Sequence, residues 1–496
     1  MSLSVPALPL RAGATGALAL LPVALLALGF LLFPPDVSRV ADIAWLITVS
    51  EQVLDGQTLY VDLVETNPPA SLWLYLPAVW LARHLHVVPE MVVNLQILAL
   101  AGFSLWLGAR LLDRAGLLAR QHRAAIGCLA VALLVLLPNG TFGQREHAGV
   151  LLLLPVLAGL CLRLSRQRPA RMESLACGIA AGFAICIKPH FAFAYAAAVL
   201  AAAAMKRDWR LPVCRENWIV AVVLAVYAAS IVLFTPGYLS EIMPLVALDY
   251  LPVRMPWARL LREPALMLWA TALLALAMAA RGRRLPPPAV LLAAASLGGL
   301  LGYLAQGKGW PYHAVPMLLF ALLAGFWALC DTAAEKTLPR AVAACTLAGL
   351  AVFTGVWFGQ SLEIRALARA VAMLHPHPTM MSISGEIAVG HPLVRLTGGT
   401  WVGRECAQWN IFGGIQRKET ESLDGATLAR IDAAIAMETK LLAQEIDSDK
   451  PDIILVQIAV FDWGQWIAKN PAVAAAMAAY RDKGAYDGVR IMQRAE

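Results

Sequence analysis

The sequence has little charge for its length. Charged side chains make up 15% of its 496 residues, compared with about 25% in soluble domains, while 59% of its residues are hydrophobic. Water cannot solvate most of such a chain, so lipid is the expected solvent of its core. The formal net charge of +7 does not indicate a nucleic-acid surface, because the basic residues fall mainly in short clusters between apolar stretches. No nucleic-acid partner is expected.

Cysteine patterns are missing as well. The eight cysteines are scattered, most of them inside apolar segments, and the sequence contains no CxxC pair and no metal-ligand spacing. We also find no internal repeat of the kind that transporters often show as two corresponding broken helices. The sequence therefore predicts neither a disulfide framework nor a recognisable metal centre.

Apolar segments of membrane-spanning length are abundant. A transmembrane helix needs about 20 apolar residues, and somewhat fewer when its ends are shielded. If the N-terminus is cytoplasmic, every inside loop carries a cluster of arginine or lysine, as the positive-inside rule expects. We predict about eleven transmembrane helices, near residues 13–33, 89–109, 124–138, 148–162, 173–187, 190–205, 217–235, 264–280, 286–304, 314–330 and 339–358.

The first outside loop, residues 34–88, is not simply polar. Its segments 38–54 and 69–84 have apolar faces interrupted by charge, which predicts two amphipathic helices at the membrane surface. In an alternative count, 70–84 is a true span. That count reverses every later loop and places the arginine clusters outside.

The composition changes near residue 359, where mixed polar and apolar sequence begins. Strand-like runs at 381–389 and 452–459 and helix-like runs at 426–446 and 471–482 predict a small α/β domain. The predicted architecture is an all-α membrane domain over 1–358, followed by a soluble domain over 359–496. With an odd number of spans, this second domain lies outside.

Asp42 is the most informative residue of the first loop. It comes early on an apolar helix, close to the point where the first span emerges, and a carboxylate at that depth needs a reason. Gly56 and Tyr60 follow in the string Leu-Asp-Gly-Gln-Thr-Leu-Tyr, and Asn67 opens the string Asn-Pro-Pro. We count Tyr60, Glu65 and Asn67 as candidate substrate-binding residues.

These motifs resemble the integral-membrane glycosyltransferases of the C-type fold (GT-C), which include protein O-mannosyltransferases and the lipid A aminoarabinose transferase. In that family the first outside loop carries an acidic pair, then Leu-x-Gly-x-x-x-Tyr, then Lys-Pro-Pro or Asn-Pro-Pro. The resemblance implies that Asp42 is the catalytic carboxylate. The second acid of the pair is replaced by Ile43, and Asn67 stands where some members have lysine. Any metal dependence is open, with a divalent cation as one alternative and no ligands assigned.

The string Gly-Gln-Arg-Glu-His places three polar side chains at the outside mouth of the fourth predicted span. Arg145 could bind a phosphate through two of its nitrogens, Glu146 could supply the missing second carboxylate, and His147 could contact phosphate, metal or acceptor. The alternative is an interfacial arginine paired with a glutamate.

Two further outside turns carry potential cations. Lys188 lies in a sharp turn between two apolar segments, where it could also extend to the membrane surface without a ligand. Lys308 lies between two glycines that permit close approach of a ligand, and Tyr312 and His313 follow it. We count all four residues as candidate substrate-binding residues.

Cations from several loops on one side of the membrane suit a phosphate-linked sugar. Transfer from a polyprenyl-phosphate donor needs a carboxylate that deprotonates the acceptor hydroxyl and cations that stabilise the departing phosphate. The sequence thus predicts a glycosyltransferase of the bacterial inner membrane that acts on a glycan, lipid or protein acceptor. The alternatives are a flippase or transporter, and a polysaccharide polymerase or ligase that uses a lipid-linked sugar.

Overall fold

The structure is a computed structural model that describes residues 24, 26–32, 34–119, 123–281, 283–330, 338–360 and 364–495. Residues 26–32 are helical, and most of the predicted first span lies outside the described residues. The next helices, in chain order, are α1 (Ala41–Leu54), α2 (Ala70–Trp73), α3 (Leu76–Leu85), α4 (Pro89–Arg114), α5 (Arg123–Val131), α6 (Arg145–Leu164), α7 (Arg171–Ile187), α8 (Phe191–Lys206), α9 (Arg215–Phe234), α10 (Met243–Leu245), α11 (Trp257–Leu260), α12 (Pro264–Ala279), α13 (Pro287–Gln306), α14 (Val315–Cys330) and α15 (Leu338–Phe358).

Six helical stretches within the described residues are long and apolar enough to cross a membrane: Pro89–Arg114, Arg145–Leu164, Arg215–Phe234, Pro287–Gln306, Pro311–Cys330 and Leu338–Phe358. Shorter apolar helices lie at Arg123–Leu136, Phe191–Lys206 and Pro264–Ala279. Each predicted segment from 89–109 onwards coincides with a helix, so the predicted helical membrane fold is confirmed. The number of spans remains a prediction.

Local sequence explains several helix ends. Proline occupies the first turn of α4, α12 and α13, where its missing N–H costs no hydrogen bond. Gly307 ends α13 with a φ of 63°, a left-handed conformation that glycine adopts without strain. Helix α6 begins at Arg145, three residues before the predicted start of that span, and Gln144 precedes it with non-helical angles, φ −54° and ψ 154°.

Helix α1 is more deeply buried than a helix at a membrane surface. Its residues 43–50 are all buried, and Trp45 is 2% exposed. The ring of Trp45 packs against His391, which in turn packs against Trp401 of the C-terminal region. The first loop is therefore sandwiched between the membrane helices and the C-terminal region.

Residues 364–495, here called the C-terminal domain, contain a five-stranded sheet and several helices. Its strand order is β2-β1-β3-β5-β4. Strands β2, β1 and β3 are parallel to one another, and β5 is antiparallel to both of its neighbours, β3 and β4. The small C-terminal α/β fold is confirmed. The elements are α16 (Arg365–Leu374), β1 (Thr379–Ile383), α17 (Leu393–Leu396), β2 (Thr400–Trp401), α18 (Trp409–Thr420), α19 (Gly425–Asp449), β3 (Ile453–Gln457), α20 (Trp463–Lys469), α21 (Pro471–Ala476), β4 (Tyr480–Tyr486) and β5 (Val489–Arg494).

The C-terminal domain is joined to the first loop by buried polar contacts. The guanidinium of Arg395 donates to both oxygens of Glu51, at 2.6 and 3.2 Å, and its Nε donates to Glu90. The amide of Val64 donates to the carbonyl of Arg404 at 2.8 Å. These contacts hold the first loop, and with it Asp42, in a fixed position relative to the C-terminal domain.

Candidate active site

Asp42 lies in the first turn of α1, where the helix dipole favours a carboxylate. Its Oδ1 accepts a hydrogen bond from Nη2 of Arg145 at 3.0 Å, and its Oδ2 accepts one from Nε2 of Gln144 at 3.2 Å. The Asp42 side chain is 20% exposed, whereas that of Arg145 is 3% exposed. The carboxylate is thus fixed from the protein side and accessible on its other side.

Arg145 is buried with most of its hydrogen-bonding capacity unused. Its Nη2 is bound to Asp42, but its Nε and Nη1 have no hydrogen-bond partner among the described residues. A buried guanidinium without partners is costly, because its donors have lost water and gained nothing in return. Free donors on a guanidinium are suited to a phosphate or carboxylate ligand.

Glu146 and Lys188 form a buried ion pair beside Asp42 and Arg145. Lys188 donates a hydrogen bond to Oε1 of Glu146. The side chain of Lys188 is 13% exposed and that of Glu146 is 2% exposed. The Nε2 of His313 lies 3.9 Å from the same oxygen, and Lys188 also lies over the ring of Tyr312. Burial lowers the pKa of Lys188, while the negative charge of Glu146 opposes this shift.

Small residues on α13 allow these side chains to approach each other. A Cβ atom at Gly298 would lie 2.3 Å from the Phe193 carbonyl oxygen on α8, and one at Gly299 would lie 2.7 Å from the Met317 nitrogen on α14. Glycine therefore lets α13 pack directly against the backbones of both neighbours. This packing brings the turn that carries Lys188 close to His313.

A small cavity of about 20 Å³ lies within this cluster, lined in part by Glu146, Lys188, His190 and His313. Oε2 of Glu146 and Nδ1 of each histidine are buried without a partner among the described residues. The volume suffices for about one water molecule, and polar walls are what a buried water requires.

Tyr60, Glu65 and Asn67 form a hydrogen-bonded cluster next to α1. Oε2 of Glu65 accepts a hydrogen bond from Nε1 of Trp45 at 2.5 Å, and its Oε1 accepts one from the backbone N–H of Asn67 at 2.8 Å. The Tyr60 hydroxyl donates to the Asn67 carbonyl at 2.6 Å. Burial, followed by the charge of Glu65, raises the pKa of Tyr60. The cluster thus fixes the loop end to the helix of Asp42.

Lys308 is bonded to backbone. Its Nζ donates to the carbonyl of Tyr250, at 2.6 Å, and to that of Val253, and it lies 4.3 Å from the centre of the Tyr250 ring. Burial lowers the pKa of Lys308 to about 8, and Arg254 adds to the shift. The Tyr250 ring also contacts Trp310 and Trp409. Lys308 therefore holds the 246–253 segment in place.

His147 is not brought together with these residues. Its Nδ1 accepts a hydrogen bond from the Gly143 amide at 3.0 Å, and its Nε2 lies 2.6 Å from the Leu134 carbonyl. Both ring nitrogens are used by the backbone, so His147 fixes the turn before α6.

Two residues at the site were not among the sequence candidates. Gln144 donates a hydrogen bond to Asp42, and Tyr250 packs against Lys308. Burial raises the pKa of Tyr250, and the charge of Asp42 adds to this effect. Both occur in polar strings of outside loops, but their spacing is not specific. No three His, Cys, Asp or Glu side chains that could hold a metal ion come together in the part of the chain that the structure describes.

Solved structures share the fold of this chain. The chain is similar to ArnT from Cupriavidus metallidurans bound to undecaprenyl phosphate, with a TM-score of 0.55 and 15% identity, over 97% of this chain and 98% of that one. Its apo state gives a TM-score of 0.54 at the same identity and coverage. A weaker likeness, with a TM-score of 0.43 and 16% identity, covers 97% of this chain and 40% of the arabinofuranosyltransferase AftD from Mycobacteria. No protein-family model and no curated protein matches.

At this identity the ArnT likeness establishes the fold. It extends over nearly the whole of both chains, including the membrane helices and the C-terminal domain. The resemblance first suggested by motifs in the first 90 residues is thereby confirmed as a shared GT-C fold.

Proposed function

We propose that this protein is a membrane glycosyltransferase that moves a sugar from a polyprenyl-phosphate donor to an acceptor hydroxyl. One observation carries the proposal: Arg145 is buried, holds the accessible carboxylate Asp42 with one nitrogen, and has two further nitrogens for which the described part of the chain offers no partner. A base and an anion site therefore lie side by side, as this reaction requires.

The reaction assigns a role to each group. The acceptor hydroxyl transfers its proton to Asp42 while its oxygen forms a bond to the anomeric carbon of the sugar. The bond between that carbon and the phosphate oxygen breaks, and polyprenyl phosphate leaves with the bonding electrons. Arg145 binds the phosphate oxygens and stabilises their growing charge, and Lys188 adds a second cation nearby.

Glu146 has a positioning role in this mechanism. It is the direct partner of Lys188 and lies next to Arg145 in the first turn of α6. By holding the ammonium group at the site, it fixes one of the two cations before the donor binds. Preorganised charges of this kind are effective because they need little reorganisation during the reaction.

The fold shared with ArnT supports the lipid part of the donor. The ArnT structure contains undecaprenyl phosphate, a phosphate on a polyprenyl chain, and its fold extends over nearly all of the present chain. A diphosphate-linked donor would place more negative charge at Arg145 and Lys188. Comparing the two donor classes therefore tests the ligase alternative directly.

We further propose a bacterial inner-membrane location, with residues 1–358 as the membrane domain and 359–496 as a periplasmic domain. Contacts of Arg395 with Glu51 and Glu90 support placing the C-terminal domain and the first loop on the same side. A cysteine introduced at the exposed position Ser448 should react with an impermeant maleimide in spheroplasts. Labelling only after lysis would contradict this topology.

The central experiment uses purified protein in nanodiscs and a panel of radiolabelled polyprenyl-phosphate and polyprenyl-diphosphate sugars. Wild type should release polyprenyl phosphate, whereas Asp42→Asn should lose at least about 100-fold in rate. Asp62→Asn removes an exposed carboxylate of the same loop and should retain the wild-type rate. Equal rates for Asp42→Asn and wild type would refute the assignment of the base, and turnover of diphosphate donors alone would favour the ligase.

A further inference from the structure

A second, larger cavity lies between the first loop and the C-terminal domain. Its volume is about 730 Å³, within the range of pockets that bind small ligands. Thr48, Glu51 and Gln52 of α1 contribute to one wall, and Gly399, in the turn before β2, and Thr400 of β2 contribute to the opposite wall. None of the candidate site residues is among its described lining residues, so the cavity is separate from the Asp42–Arg145 site.

Among the described residues that line the cavity, no arginine or lysine is free to bind a phosphate. Arg395 is bound by Glu51 and Glu90, and Arg83 is bound by Asp55 at 2.5 Å. These three carboxylates outnumber the two arginines that they neutralise. An anionic ligand would therefore be repelled here, in contrast to the site at Arg145.

The wall instead offers hydrogen-bond acceptors. The lining carboxylates of Glu51 and Asp55 are 37% and 57% exposed, and ionised carboxylates act only as acceptors. A ligand that supplies hydrogen-bond donors can bind such acceptors. Carbohydrate hydroxyls supply several donors per ring without adding charge, whereas a peptide backbone supplies one N–H per residue.

The position of the cavity relates it to Asp42. Its lining includes Ser38, four residues before Asp42, and Asp55, directly after the last residue of α1. The 14 residues of α1 span about 21 Å. The cavity thus has lining residues at both ends of the helix whose first turn carries the proposed base.

We infer that this cavity binds an uncharged carbohydrate segment of the acceptor, which makes the acceptor a glycan. The end of the glycan that receives the sugar reaches Asp42, and the adjoining units lie against the second half of α1, where Thr48, Glu51 and Gln52 line the cavity. The role of this glycan as the acceptor rests on the proposed glycosyl transfer. The carbohydrate site itself rests on the cavity and its wall alone.

The test measures glycan binding directly. Purified full-length protein in nanodiscs is titrated with defined neutral hexose and pentose oligosaccharides and with a uronic-acid oligosaccharide, and binding is followed by ligand-observed NMR. Thr400→Trp fills the cavity from the exposed position of strand β2, and tryptophan is tolerated in strands. Thr420→Trp makes the same exchange on an exposed helix end outside the cavity. Asp55→Asn removes one exposed wall carboxylate.

Wild type and Thr420→Trp should bind a neutral oligosaccharide equally. Thr400→Trp should weaken binding about tenfold or more, and Asp55→Asn about fivefold, with unchanged thermal unfolding. Saturable binding by no neutral oligosaccharide, stronger binding of the uronic-acid ligand, or undiminished binding by Thr400→Trp and Asp55→Asn would overturn the inference. Donor turnover without glycan binding would overturn this site and leave the proposed function standing. Glycan binding without donor turnover would support this site and overturn the proposed function.

Discussion

The buried pair Glu146–Lys188 offers a test that separates stability from function. Its side chains are 2% and 13% exposed, so Lys188→Met leaves a carboxylate in the interior without its principal cation. Breaking a buried pair by removing one partner costs about 3–5 kcal/mol. Since His313 lies 3.9 Å away and a water could enter the small cavity, we expect a loss near the lower end, about 3 kcal/mol.

The double variant Glu146→Gln/Lys188→Met should recover most of that stability, because both buried charges are removed. It should not recover activity, because the cation near the phosphate is still missing. The assays are chemical unfolding in mixed micelles and donor turnover in nanodiscs. Lys418→Met, which breaks the exposed pair with Asp432, is the control and should cost at most about 1 kcal/mol.

Two results would refute this reasoning in different ways. If the double variant is as unstable as Lys188→Met, the lost stability does not come from an unpaired carboxylate. If the double variant recovers stability and full turnover together, the pair supports the fold only, and Lys188 has no part in stabilising the phosphate.

Three other predictions concern separate parts of the molecule. Arg145→Lys keeps a positive charge but loses the planar guanidinium, so the KM for the sugar donor should rise about tenfold or more in steady-state kinetics. An unchanged KM would contradict phosphate binding at Arg145. Burial raises the pKa of Asp249 to about 7, so its contribution to stability is present below about pH 4 and is lost as the pH rises to about 7. Asp249→Asn should therefore have a higher Tm than wild type at pH 8 and a similar Tm at pH 4, and equal Tm values at both would contradict this. Arg395→Gln should increase hydrogen exchange at the Val64 amide far more than Arg490→Gln, whose ion pair is exposed; equal increases would show that Arg395 does not dock the domain.

The sequence predicted the helical regions well for a clear physical reason. Lipid demands long apolar runs, and these runs are visible without knowledge of tertiary contacts. The boundary of α6 was harder to predict, because Arg145, Glu146 and His147 are polar and were assigned to the loop before the span. The structure places them inside the first helical turn.

That small shift decides which side chains can act together. In a helix, residues i and i+2 point in directions about 200° apart, so Arg145 and His147 cannot face the same ligand. Arg145 contacts Asp42, whereas His147 contacts the Leu134 carbonyl. In a loop, all three polar side chains could have converged, which is why the sequence alone left each of them as a candidate.

The sequence by itself determined that lipid is the solvent of most of the chain and that this part is helical. It also determined the change of composition near residue 359 and the acidic character of the first loop. These properties depend on residue type and local order. Only the tertiary structure decided which charges pair, because the partners of Arg395 are 305 and 344 residues away along the chain. It also decided that two nitrogens of Arg145 beside Asp42 have no partner within the described residues, since an unpaired donor is defined by everything that packs around it.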